Sequence, residues 1–335
     1  MQFDELGIDS LWRLHDEFTV EQAAALIAGY DPGHVALCKN DTNFASDFSR
    51  LYPAETVENL VICAVGRGAT KDFSALIVNT LPDYEMISKG QCFPLYTYEK
   101  QEDKTSPNAD MFSRNNQVTH EKYVRRENIP DDILTEFRKC YAASRGEDIT
   151  KEDIFYYVYG VLHSPEYKKR FEADLKKMLP RIPFAEDFWA FSNAGRELAQ
   201  WHLNYETVEP YPLQQSCEHL DLGDKQLYQV YKMTFGKTNG KEDKSTIIYN
   251  RKIRLSGIPP DAYDYIVNGK PALEWVMERY QITTDKDSGI KNDPNDWATE
   301  HDDPQYILNL VKCIVRVSME TVRIVKGLPA LSERK

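Results

Sequence analysis

The strongest constraint in this chain is residues 149–205, where three helical patterns follow one another without a strand-like interruption. Thr150 stands where an N-cap is needed, and Ile154, Val158 and Val161, widened by Phe155 and Leu162, mark one helical face. Ser164 followed by Pro165 opens a second helix, because proline at the first helical position sacrifices no hydrogen bond. Tyr167, Phe171, Leu175 and Leu179 then recur every four residues while Lys168, Lys169, Arg170, Lys176 and Lys177 point elsewhere, until Pro180 and Pro183 end the pattern. The third helix repeats Phe184, Phe188, Phe191, Gly195, Leu198 and His202 at steps of four and three, with Glu186 and Asp187 in its first turn. Three consecutive one-sided helices must bury their apolar faces against something large, so this stretch is expected to form the core.

The flanks read differently. VENLVICAVG, FSALIVNT and QCFPLYTYE make a β-rich segment over 57–99, with Pro94 marking an edge or bulge in the third strand. Gly66-x-Gly68-x-x-Lys71 after a strand invites a phosphate-loop reading. Such loops feed a helix, however, and the next element here has strand character. A tight turn with Arg67 and Lys71 as exposed cations accounts for it better. Residues 100–127 are polar and read as a linker or loop, and Ile129–Tyr141 as a short amphipathic helix, giving a helical region over 128–205. Beyond it, LYQVYKMTFG and STIIYNRKIRLSG alternate like strands around Asn239-Gly240, a strong hairpin signal, and helices follow to complete 225–330. The last of these, over 305–326, carries Ile307, Leu310 or Val311, Ile314 and Val317 on one side. Residues 1–42 form a separate helical extension, and 43–335 the main body. The fold class expected is α+β: strand-rich segments around a central helical one, closed by a long helix.

Charge narrows the function. The chain of 335 residues carries a net charge of −12, which argues against a free-standing nucleic-acid binder unless a basic face sits on an acidic body. The six cysteines form no CxxC pair and suit reduced thiols of a cytoplasmic protein. MQFDELGIDS lacks the apolar core of a secretory signal, and no apolar run is long enough to span a membrane. The 20 tyrosines could serve a binding surface, although packing is the simpler reading.

Catalytic signatures are missing. There is no Walker A loop, helicase signature, HExxH motif, glycine-rich cofactor loop or GxSxG, so neither cofactor nor metal is expected. One coincidence stands: Asp131 after Pro130, with Glu166-x-Lys168 downstream, formally matches a Mg²⁺ nuclease arrangement. In that fold the ExK lies on a strand, whereas here it opens a capped helix.

The segments already quoted carry a resemblance. FPLYTYE, YGVLHSPEY and YIVNGKPALEW, within a similarity running from about Phe48 to Leu328, resemble the C-terminal specificity region of type ISP restriction–modification enzymes. Those enzymes join a nuclease, a helicase, an adenine methyltransferase and a target-recognition domain in one chain. The resemblance covers only the last part, so it implies double-stranded DNA as partner, an adenine methyltransferase/helicase-nuclease polypeptide as associate, and no catalysis of its own. It leaves open whether the module is truncated, fused or separately encoded. Candidate phosphate contacts are Arg67, Lys71, Lys168, Lys169, Arg170, Lys176 and Lys177, the last five also readable as a solvated helix face. Arg114, Asn115 and Asn116 are of the types that read base edges. Two rivals remain at this point: a protein-interaction module that docks through the helix at 305–326, and a Mg²⁺ nuclease using Asp131, Glu166 and Lys168.

Overall fold

The structure, a computed structural model, describes residues 51–52, 57–66, 68–82, 86–100, 123–217, 224–286 and 288–332. The architecture is mixed α+β, with small antiparallel sheets on either side of a helical centre. The centre begins with α1 (Asp131–Cys140) and α2 (Lys151–His163). Thr150 caps α2 as expected, in a full capping box with Asp153. Ser164 caps α3 (Pro165–Arg170), and Asp187 caps α5 (Phe188–Leu203) by accepting from the Ala190 N–H.

The expected unbroken helix from 164 to 179 does not form. Phe171 leaves helical geometry (φ −107°, ψ 16°), and only one further turn, α4 (Glu172–Leu175), follows. A repeat of four residues drifts roughly 40° per step around a helix of 3.6 residues per turn. Over the whole pattern a straight helix would turn Leu179 roughly 120° away from Tyr167. The chain instead breaks at half-buried Phe171, between the buried Tyr167 and Leu175.

α2 and α5 cross with their backbones in direct contact. A Cβ on Gly160 would lie 2.2 Å from the Phe191 carbonyl oxygen, and one on Gly195 would lie 1.8 Å from that of Tyr156. Around this crossing the tyrosines are packing residues with satisfied hydroxyls. Tyr141 donates to the Ala185 carbonyl at 2.6 Å, Tyr157 to Pro183 at 2.6 Å and Tyr167 to Arg181 at 2.8 Å. Each holds the proline-bounded segment between α4 and α5 by its carbonyls, so burial costs no unpaired polar group.

A three-stranded sheet in the order β2 (Ala75–Val78), β1 (Val61–Ala64), β3 (Gln91–Pro94) packs on the helices. Ile62, Ala64, Ala75 and Ile77 face the helical core, while Val61, Cys63 and Val65 meet Ile87 on the other side. The turn reading of Gly66-x-Gly68 holds, since β1 and β2 are antiparallel neighbours and Gly68 has φ +70°. QCFPLYTYE is two strands rather than one. Buried Asn59 donates to the Tyr96 carbonyl at 2.8 Å and accepts its N–H at 3.1 Å, ending β3 and starting β4 (Tyr96–Lys100) in another sheet. β4 pairs with β5 (Tyr123–Glu127), so the expected linker 100–127 ends in a strand.

The C-terminal part holds a four-stranded sheet, β6 (Gln214–Cys217), β9 (Ile253–Ser256), β8 (Lys241–Ile248), β7 (Thr234–Thr238). Asn239 and Gly240, both at positive φ, join β7 to β8 as expected. LYQVYKM is not a strand. α6 (Asp224–Tyr228) takes its start, and side chains of Asn250 and Asn295 bond the backbone of 227–230 in place of a strand partner. A second Asn-Gly turn, Asn268-Gly269, joins β10 (Ile266–Val267) to β11 (Lys270–Pro271), which runs into α7 (Ala272–Arg279). The polar stretch after it contains the short hairpin β12 (Thr283–Thr284), β13 (Lys291–Asn292) and α8 (Asn295–Glu300).

Helix α9 (Tyr306–Lys326), about 31 Å long at 1.5 Å per residue, runs between the two halves. Its first half buries Ile307, Leu308, Leu310, Val311, Ile314 and Val315 against the four-stranded sheet, and Ile324 reaches the helical core. Among the described residues no helix is long and apolar enough to cross a membrane.

Gly195→Ala is expected to destabilise the protein by at least about 2 kcal/mol, since backbone cannot yield as a side chain can. Urea unfolding checks this, and a loss below roughly 1 kcal/mol would mean the helices do not touch there.

Candidate nucleic-acid interface

The hairpin tip and the basic residues after α2, distant in sequence, come together. The Gly68 N–H donates to the Lys176 carbonyl at 3.3 Å, so the β1–β2 turn rests on the α3–α4 segment. Lys89 donates to the Gly68 carbonyl at 2.9 Å and adds a cation that sequence reasoning missed. Lys71, Lys169, Arg170, Lys176 and Lys177 are exposed around this junction. Carboxylates are interspersed: Lys176 pairs with Glu172 at 2.9 Å, which raises the lysine's proton affinity and lowers the acid's. Arg67 and the cluster Arg114, Asn115 and Asn116 lie outside the described residues. The latter belong to the connection between Lys100 and Tyr123, which pair at the end of the β4–β5 ribbon. That ribbon carries two further arginines hidden in the apparent linker. Arg125 lies 4.3 Å over the Tyr96 ring, and Arg126 pairs with Glu99 at 2.6 Å.

Lys168 corrects the expectation of a uniformly solvated face. It is half-buried and turns into a cleft with His163, Tyr265, Thr321 and Val325, and it has no ion-pair partner among the described residues. Burial pushes its ammonium from the ordinary 10.5 down to about 8. Beneath it runs a buried polar chain. Tyr159 Oη and His202 Nδ1 are 2.6 Å apart, and His202 Nε2 and Thr321 Oγ1 are 2.9 Å apart. A neutral ring protonated on Nε2 satisfies all three groups. His202 stacks on Tyr265, with centroids 5.1 Å apart. His163 Nδ1 donates to the Tyr159 carbonyl at 2.9 Å. Burial, with Lys168 nearby, holds both imidazoles neutral: His163 well below its usual range and His202 at about 3.

The acidic members of the nuclease-like pattern have other partners. Asp131 pairs with Lys151 at 2.5 Å, and Glu166, opening α3, accepts the Leu331 N–H at 2.7 Å. Among the described residues no group of three or more His, Cys, Asp or Glu could hold a metal.

Comparison with known proteins decides the family. The profile of the Type ISP C-terminal specificity domain matches residues 35–310. The chain belongs to that family. Its match begins inside the segment 1–42 read from sequence as a separate extension. Among solved structures, the ATP-dependent Type ISP restriction–modification enzyme LlaBIII bound to DNA is 33% identical with a TM-score of 0.69, over 85% of this chain and 17% of that one. A nuclease-deletion mutant of the Type ISP enzyme LlaGI, in complex with a DNA substrate mimic, is 35% identical with a TM-score of 0.65, over 86% of this chain and 22% of that one. The DrdV–DNA complex is 31% identical with a TM-score of 0.68, over 85% of this chain and 26% of that one. This Type ISP specificity chain thus spans between 17% and 26% of the length of these three chains. No curated protein matches it.

Two outcomes follow from the buried charges. Between its unfolded value of 6.5 and its folded value, a neutral buried histidine binds fewer protons in the folded state, so stability is full above pH 6.5 and falls on acidification. Moving from pH 6.5 to pH 5 is expected to cost about 2 kcal/mol per histidine, read by urea unfolding. Equal stability at both values would show that protons reach the rings in the folded protein. Lys168 works in the alkaline range. Lys168→Met is expected to stabilise the protein by about 1–3 kcal/mol at pH 7, because an unpaired desolvated charge is removed and its apolar length kept. The gain should be full below about pH 8 and vanish above about 10.5, where wild-type Lys168 becomes neutral in both states. A destabilised variant at pH 7 would show that the ammonium has a partner.

Proposed function

We propose that this chain is the DNA target-recognition module of a Type ISP restriction–modification system. It is non-catalytic by itself and directs an adenine methyltransferase/helicase-nuclease polypeptide to its site in the cytoplasm. The observation that carries this reading is the family match over 35–310, joined to three DNA-complexed structures at 31–35% identity over 85–86% of the chain. Asp131 and Glu166 are each engaged elsewhere, by Lys151 and by the Leu331 N–H, and the five described cysteines, all unbridged, suit a reducing compartment.

In this reading Lys71, Lys169, Arg170, Lys176 and Lys177, with Arg67, contact phosphates and set register, while Arg114, Asn115 and Asn116 read base edges. The protein-docking alternative drew on the apolar helix at 305–326. Its apolar face is buried within the chain itself, against the four-stranded sheet and the helical core, which removes that support.

Fluorescence anisotropy with labelled duplex, the chain alone and with its partner polypeptide, tests the proposal. Replacing Lys169, Arg170 and Lys177 by Gln should weaken binding to all sequences alike and lower the log–log salt slope by about 3. Asn115→Ala or Asn116→Ala should instead cost about 1–3 kcal/mol on the cognate site alone. Binding that ignores salt, or none with the partner present, would return the docking module as the better account.

A further inference from the structure

The cleft above the buried histidines has a composition that DNA contact does not explain. Its volume is about 620 Å³, within the range of small-molecule sites. It opens between β2, α3, the residues leading into the β10–β11 hairpin, and α9. Its walls are mainly apolar, built from Phe73, Pro165, Tyr265, Val322 and Val325. The cations at its rim are already engaged, Lys176 by Glu172 at 2.9 Å and Lys326 by Asp261 at 2.6 Å, with Asp264 4.0 Å from Lys326. Of the remaining rim charges, Lys169 and Asp72 are exposed to solvent. Lys168 alone is recessed and unpaired, set close enough to His163 and His202 to depress the proton affinity of both. The rings beneath it are neutral and cannot compensate its charge. His163 spends its Nδ1 proton on Tyr159, so Nε2 is left as an acceptor.

A recessed unpaired ammonium is costly unless an anion completes it. A lone ammonium acts as a point charge suited to phosphate, and the Phe73 and Tyr265 rings favour a flat apolar body. We propose that this cleft binds a small phosphate monoester with a planar body, a nucleoside monophosphate in size and chemistry, with Lys168 holding the phosphate. The rim shares Lys169 and Lys176 with the cations assigned to duplex DNA, but Lys168, which holds the phosphate, is not one of them, and the proposal does not rest on that assignment.

Isothermal titration of the full chain with adenosine monophosphate, adenosine and inorganic phosphate tests it. Adenosine monophosphate should bind at least tenfold more tightly than either fragment. Lys168→Met should reduce its affinity at least tenfold, and Lys168→Arg should recover part of it. In protein labelled with ¹⁵N-lysine, the nucleotide should move the Lys168 titration midpoint upward, a shift that a merely structural lysine would not show. Equal affinity for adenosine and its monophosphate, no binding at millimolar nucleotide, or unchanged affinity in Lys168→Met would each overturn the proposal. Should Lys168→Met fail to fold, an unmoved Lys168 midpoint in the wild-type chain would overturn it alone.

Discussion

The contact of two glycines, Gly160 on α2 and Gly195 on α5, is what the rest of the fold depends on. At a normal interaxial distance, 8–10 Å, side chains fill the space between helices. Here that space is gone, and the Tyr156 and Phe191 carbonyls stand where side chains would be. Glycine inside a helix is unfavourable by about 1 kcal/mol relative to alanine, so two of them need a compensating gain. The gain is the close approach that lets Tyr157 stack on Phe188 at 4.9 Å and brings Tyr159 to His202.

That second pairing extends the consequence to the other half of the molecule. Tyr159, His202 and Thr321 come from α2, α5 and α9, and the chain they form has no slack: each hydroxyl and ring nitrogen depends on the next. A half-satisfied buried network costs more than an apolar core, whereas a complete one fixes a single arrangement. α9 is thereby held in axial position, and the four-stranded sheet packed on its first half is positioned with it. Ion pairs at its far end, Arg323 with Glu197 and Lys326 with Asp261, are exposed and add little energy beside this.

Caps were legible in the sequence because they are local. Thr150 and Ser164 each mark a helix start through a bond to the backbone N–H three residues on, so a short window contains all the information. Asp187, read as part of the first turn of a helix from Phe184, instead caps one that starts at Phe188. Failures arose where a distant group decided. YVRRE became β5 because β4 offers it a partner, and LYQVYKM lost its strand because Asn250 and Asn295 satisfy its backbone. Lys168 looked like its neighbours because position on a helix does not reveal what lies opposite. Only the β10–β11 hairpin and α9, some hundred residues later, make a cleft around it. Gly195 fell on the predicted stripe, and a glycine there was a usable signal of close helix approach. Function was legible only through the blocks FPLYTYE, YGVLHSPEY and YIVNGKPALEW. No spacing rule of chemistry points to DNA in a chain of net charge −12.

That acidity has a physical use in a module of this family. Nonspecific DNA affinity grows with every phosphate neutralised, and a body carrying excess negative charge opposes it beyond the first contacts. Cations on such a body act only at short range, within about a Debye length of 8–10 Å, where the Lys71 turn and the Lys169–Lys177 segment are gathered. Carboxylates among them, Glu172 against Lys176 foremost, weaken the local field further. On the proposed reading, a recognition element built this way would contribute discrimination rather than bulk affinity, since misplaced contacts gain little while correct base contacts keep their full value. On the same reading, bulk affinity would come from the partner polypeptide. In the three solved structures this protein resembles, about three quarters of the chain or more lies outside the matched part.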